Sequence, residues 1–171
     1  MVNIENKKII LNFSSTDNGG AGTAAYQFHK NLIKAKYNSF LFVARKSRKK
    51  KKLIQLRDNI TYKLQAKNVQ IKNYLNLSNK DYFFLNSELK FPFDRKKLIE
   101  ITKNKKVSYI IIHSVPNFLD YEDILELKNY FNCEIFFRLY DMQNYTGGCS
   151  YSLGCKNYKK NCQDCPGLNY K

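Results

Sequence analysis

An apolar run, a glycine-rich turn, an amphipathic stretch and a second apolar run succeed one another between Lys8 and Ala44. That order leaves few folds open. Lys8 to Phe13 is rich in isoleucine and reads as a buried strand. Ser14 to Gly22 is polar, holds Gly19, Gly20 and Gly22, and reads as a loop. From Thr23 to Lys36 the apolar residues Ala24, Ala25, Phe28, Leu32, Ile33 and Ala35 recur at helical spacing, which leaves His29 on the polar, surface side. Ser39 to Ala44 reads as a second strand. Two strands joined through a helix run parallel, because the helix returns the chain to the starting edge of the sheet.

The second half repeats the pattern. Arg95 to Asn104 suits a short helix, Val107 to His113 a buried strand, and Glu134 to Tyr140 a last strand. Tyr121 to Tyr130 suits a helix with Ile124, Leu125 and Leu127 inward. Between the halves, Leu53 to Leu77 has helical periodicity through Ile60, Leu64, Val69, Ile71 and Leu75. Tyr82 to Ser87 reads as a short extended piece, and Pro92 excludes a helix across Phe91 and Phe93. The expected fold class is α/β, a Rossmann-like parallel sheet with flanking helices, in a single domain over residues 1–171 that includes a Cys-rich loop at 141–171. Such sheets bind ligands beyond the carboxyl ends of their strands. Three loops belong there: Ser14 to Gly22, His113 to Asn117, and Asp141 onward.

Charge narrows the partners. The chain of 171 residues carries a formal charge of +16, which favours nucleic acid, acidic lipid headgroups or phosphorylated ligands. From Arg45 to Lys52 seven residues in eight are basic, a solvated loop or a contact for phosphate or a membrane surface. No apolar run approaches the ~20 residues that span a bilayer, and no secretory leader is visible at the N-terminus, so the expected location is the cytoplasm. Thiols there stay reduced, which favours metal binding or free thiols over disulfides.

Four of the five cysteines, Cys149, Cys155, Cys162 and Cys165, are spaced C-x5-C-x6-C-x2-C. The C-x2-C pair suits one edge of a zinc tetrahedron, and four thiolates would make a closed structural site. Zinc, free thiols and disulfides all remain open. Cys133, at the start of a strand, reads as a core thiol. Gly20 to Ala25 fits G-x-G-x-x-A, the kind of turn that lets a backbone approach phosphate at a helix N-terminus. A nicotinamide site also needs an acid at the end of the second strand, where this chain has Ala44, Arg45 and Lys46. NAD is therefore not expected, and only Arg45 speaks for NADP. His113 closes a strand at the crevice, where it would hydrogen-bond a ligand or exchange a proton, or serve the structure alone.

These residues together resemble a family. Ser14-Ser15 through Gly19-Gly20-Ala21-Gly22 to Ala24-Ala25-Tyr26, then Ile110-Ile111-Ile112-His113 with Asn117-Phe118-Leu119, then Leu139-Tyr140-Asp141-Met142, Thr146-Gly147-Gly148-Cys149, Tyr151-Ser152, Cys155, Cys162 and Cys165-Pro166 are similar to the N-terminal domain of family 4 glycosyltransferases of the GT-B fold, especially bacterial polysaccharide-assembly members. The resemblance runs nearly the whole length, and its last segment is the most specific. Two positions depart from it. Members often have His-Asp-Met-Trp where this chain has Tyr140-Asp141-Met142-Gln143, and a second histidine where it has Ile111.

The resemblance implies a donor, an acceptor and a second domain. Gly19, Gly20 and Gly22 would approach the diphosphate of a nucleotide-diphosphate sugar. His113 would contact its sugar, and Asp141 would contribute on the acceptor side. The acceptor would be a polysaccharide or lipid-linked oligosaccharide, met at the inner face of an anionic membrane. A C-terminal domain absent from these 171 residues would hold most of the donor, so the chain alone would transfer nothing. Two other readings are a non-enzymatic zinc-binding module for nucleic acid and an NADP-binding Rossmann domain. The first lacks the interleaving of basic and aromatic residues that nucleic-acid motifs show, so no nucleic acid is expected.

Overall fold

The structure, a computed structural model, describes residues 9–58, 60, 61, 63, 64, 67, 68, 71 and 92–168. Five parallel strands form one sheet: β1 (Ile9–Thr16), β2 (Asn38–Arg45), β3 (Leu53–Gln55), β4 (Val107–Ile112) and β5 (Glu134–Phe137), in the order β3-β2-β1-β4-β5. Helices α1 (Gly19–Lys34), α2 (Arg95–Thr102) and α3 (Tyr121–Phe131) flank it. This is the Rossmann-like α/β architecture the sequence led us to expect.

The sheet separates two unlike faces. Ile9, Leu11 and Phe13 of β1, with Phe42, Ile110 and Ile112, face Leu98 of α2 and Ile124 and Leu127 of α3 in the larger core. Phe13 stacks on Phe42 at 5.3 Å between ring centroids and meets Phe118 at 6.4 Å. The opposite face carries Leu41, Val43 and Leu53, against which Tyr26 of α1 packs. Strand alternation places Asn12, Ser14 and Ser39 on this second face, and all three are buried. The face under α1 therefore has a polar stripe that needs internal hydrogen bonds.

Caps set the helix ends. Asp94 accepts from the Lys97 amide at 2.9 Å. Asp120 and Asp123 form a reciprocal capping box, and left-handed Asn132 ends α3. The buried Asp123 also pairs with Arg95 at 2.8 Å, joining α2 to α3.

Several expectations need correction. The loop expected at Ser14 to Gly22 is mostly regular: β1 runs on to Thr16, and α1 begins at Gly19. The inward face of α1 is Gly22, Ala25 and His29, while Ile33 is 41% exposed. Leu125 of α3 likewise points outward. Leu53 to Gln55, expected as helix, is a strand paired with Leu41 to Val43. β4 stops at Ile112, one residue before His113, and β5 stops at Phe137 rather than Tyr140. Ile60, Leu64 and Ile71 are helical as expected, whereas Val69, Leu75 and all of the piece expected at Tyr82 to Ser87 lie outside the described residues.

Candidate functional site

The strand order reverses between β1 and β4, so their carboxyl ends open the crevice in which sheets of this type bind ligands. The loops beyond these two strands are sewn together. The Ser15 amide donates to Ser114 O at 2.8 Å and the Ser15 hydroxyl to Pro116 O at 2.7 Å. Arg57, just past β3 and buried, adds further stitches: its guanidinium donates to Asn117 O and, at 3.2 Å, to Phe118 O. Nothing in the sequence singled out Arg57; its one signal is a charged residue directly after apolar Leu56.

Each glycine of the turn has its own place. An added Cβ on Gly22 would lie 2.7 Å from the Thr16 carbonyl oxygen, so Gly22 is what lets the first turn of α1 lie on the end of β1. Gly19 has φ +69, a left-handed backbone that favours glycine. Gly20 faces open space. No side chain caps α1 and its first turn has no acid, so the positive end of the helix is not neutralised there by a carboxylate in the turn. The Asn18 side chain donates instead to Ser47 Oγ at 2.9 Å.

The basic run is anchored rather than merely solvated. Asp17 is fully buried, and its carboxylate accepts from the amides of Ser47 at 2.7 Å and Arg48 at 2.8 Å. Arg48 adds an ion pair to Asp17 at 3.7 Å and lies over the Tyr26 ring. Lys46 folds back onto Leu53 O, and Lys52 onto Asn38 Oδ1. Lys49, Lys50 and Lys51 remain exposed on this pinned loop. Asp17, between the strand and the glycines, is the one acid in that segment and was legible only as loop polarity.

His113 is 2% exposed, and both of its ring nitrogens are engaged. Nδ1 lies 2.9 Å from Tyr140 Oη and Nε2 lies 3.2 Å from Asn12 Oδ1. The chain of contacts continues under α1: Asn12 Nδ2 donates to Ser39 Oγ at 2.9 Å, and Ser39 Oγ lies 2.8 Å from His29 Nδ1. His29, expected at the surface, is therefore buried, because Ser39 offers a partner across the helix–sheet interface. Burial lowers both histidines to a pKa of about 4, with Lys52 contributing at His29, and Arg138 and then His29 at His113. The Phe28 ring meets His113 edge-on at 5.5 Å, and Arg138 lies over both Phe28 and Tyr140. Burial raises the Tyr140 phenol above its ordinary value, and Arg138 partly offsets this.

Asp141 lies four residues beyond Phe137, the last residue of β5. Its Oδ1 accepts from the Gln143 amide at 2.9 Å in a local turn, while the neighbouring Tyr140 is the residue brought to His113. All five cysteines are free thiols. Cys155 Sγ accepts from the Asn157 amide at 3.4 Å and Cys162 Sγ from the Gly147 amide at 3.2 Å. No three His, Cys, Asp or Glu side chains among the described residues gather closely enough to hold a metal ion. No helix among the described residues is long and apolar enough to cross a membrane. The chain matches no family model, no curated protein and no solved structure.

Proposed function

We propose that this chain is the acceptor-side half of a glycosyltransferase that moves a sugar from a nucleotide-diphosphate donor to a polysaccharide or lipid-linked oligosaccharide. The observation that supports this best is the junction at the strand-order reversal. There the uncapped start of α1, with open Gly20, and the hydrogen-bonding pair His113–Tyr140 follow adjacent strands. The helix terminus would meet the diphosphate, because its amides and dipole favour anions. The His113–Tyr140 end would meet the saccharide. A second Rossmann-like domain, as the resemblance implies, would hold the rest of the donor. Lys49, Lys50 and Lys51 would rest against anionic headgroups, each worth about 1 kcal/mol near such a surface.

The test is transfer by the complete gene product from a panel of nucleotide-diphosphate sugars to lipid-linked saccharide acceptors. Gly20→Val should fold, since its side chain enters open space, and should cut transfer sharply. Absence of transfer and of nucleotide-sugar binding across the panel would sink the reading, and a fully active Gly20→Val would remove the helix terminus from it. Zinc content of the same preparation decides whether the four cysteines hold a metal in solution.

A further inference from the structure

The hydrogen-bond chain behind the crevice fixes proton positions that settle which group faces a ligand. Asn12 Nδ2 lies 3.2 Å from the carbonyl oxygen of Phe40, which only accepts, so the amide nitrogen points that way. Asn12 Oδ1 therefore faces His113 Nε2, and that nitrogen must carry the hydrogen. A neutral imidazole protonated at Nε2 leaves Nδ1 as an acceptor. The phenol of Tyr140 then donates to His113 Nδ1. His113 has no nitrogen left for a ligand, whereas Tyr140 is only half-buried and its oxygen still has lone pairs to offer.

We infer that Tyr140, not His113, is the ligand-contacting group at this end of the crevice, with buried His113 as the positioning residue that commits the phenol proton inward and presents Oη as an acceptor for a hydroxyl group. This rests on the reading that the crevice holds a saccharide, and it narrows that reading. An acceptor oxygen selects a hydroxyl donor over a phosphate oxygen, which has no hydrogen to give once ionised. Arg138 lies over the rings of both Phe28 and Tyr140.

The full chain can be titrated with methyl glycosides of glucose, galactose and mannose, and separately with dimethyl phosphate, which has no hydroxyl, with ring resonances of Tyr140 and His113 followed by NMR. At least one glycoside should move both rings, and dimethyl phosphate should move neither. Tyr140→Phe should weaken glycoside binding about tenfold, the worth of one hydrogen bond. His113→Asn, whose amide still accepts, should retain more affinity than His113→Leu. The ¹⁵N spectrum should show His113 protonated at Nε2, and Tyr140→Phe should shift its Nδ1. An Nδ1-protonated His113, unchanged affinity in Tyr140→Phe, a response to dimethyl phosphate in place of glycosides, or no glycoside binding by the wild-type chain would each overturn the inference. In the complete gene product, transfer with unchanged KM in Tyr140→Phe would overturn this inference alone. Tyr140-dependent glycoside binding without any transfer would uphold it and overturn the glycosyl-transfer reading instead.

Discussion

β1 and β5 lie two positions apart in one parallel sheet and live in opposite surroundings. The first six residues of β1 are buried, with Leu11, Asn12 and Phe13 wholly so. In β5 the successive residues Phe136 and Phe137 are 51% and 41% exposed, one on each face of the strand. Parallel sheets are ordinarily covered on both faces, so β5 is a strand built for burial that the described residues leave open. The difference separates two uses of aromatic side chains. At β1 they hold the fold, and at β5 they are surface.

The sharpest way to break this contrast is a pair of truncations. Phe13→Ala should cost about 3–5 kcal/mol in a urea titration, the range for aromatic-to-alanine changes in packed cores. Phe137→Ala should stay under about 1 kcal/mol, as for a surface site. Equal losses would mean that β5 is as enclosed as β1.

The polar side of β1 makes the next prediction. His29 and His113 have folded-state pKa values of about 4, below the ordinary 6.5. Between those values the unfolded chain binds protons that the native chain does not, so stability falls as pH drops from about 6.5 to 4 and levels off below. Each histidine adds a slope of up to about 1.4 kcal/mol per pH unit in that window. His29→Gln should remove one share of the slope measured by thermal melts, and an unchanged slope would place His29 at the surface after all.

Gly22→Ala should destabilise by about 1–3 kcal/mol, because the added carbon strikes the Thr16 backbone at the end of β1. Gly20→Ala, entering open space, should lie within about 0.5 kcal/mol of the parent or gain slightly from helix propensity. If both cost the same, the close approach of α1 to β1 is not what Gly22 serves. Smallest of all, changing Lys49, Lys50 and Lys51 together to Gln should shift stability by under about 0.5 kcal/mol while weakening sedimentation with vesicles containing anionic lipid. A large stability loss would show that these side chains are anchors like Lys46 and Lys52.

What was legible follows from how much of each element depends on near neighbours. β1, β2 and β4 are apolar runs buried on at least one face, and such runs announce themselves. β3 is three residues long and carries no period of its own; only its pairing with Leu41 to Val43 makes it a strand. The start of α1 was hidden because glycine reads as loop, and the reason for Gly22 is a backbone carbonyl six residues earlier. His29 was misplaced because its partner, Ser39, lies on the next strand and no helical period reports it. At the site, His113 was found by its place at a strand end. Its engagement by Asn12 and Tyr140, 101 and 27 residues away, is a tertiary fact.

The exposed edge of β5 has a further consequence, for how the molecule behaves in solution. Among the described residues no strand pairs beyond β5, and an open strand edge flanked by phenylalanines is a template on which other chains can add strands. Mutual repulsion from a net charge of +16 is what holds such edges apart. Its reach shrinks to about 10 Å at 0.1 M salt and about 3 Å at 1 M. Added salt thus removes the colloidal barrier while leaving the sticky edge in place, so this chain should be handled dilute and at low ionic strength, and it will salt out early.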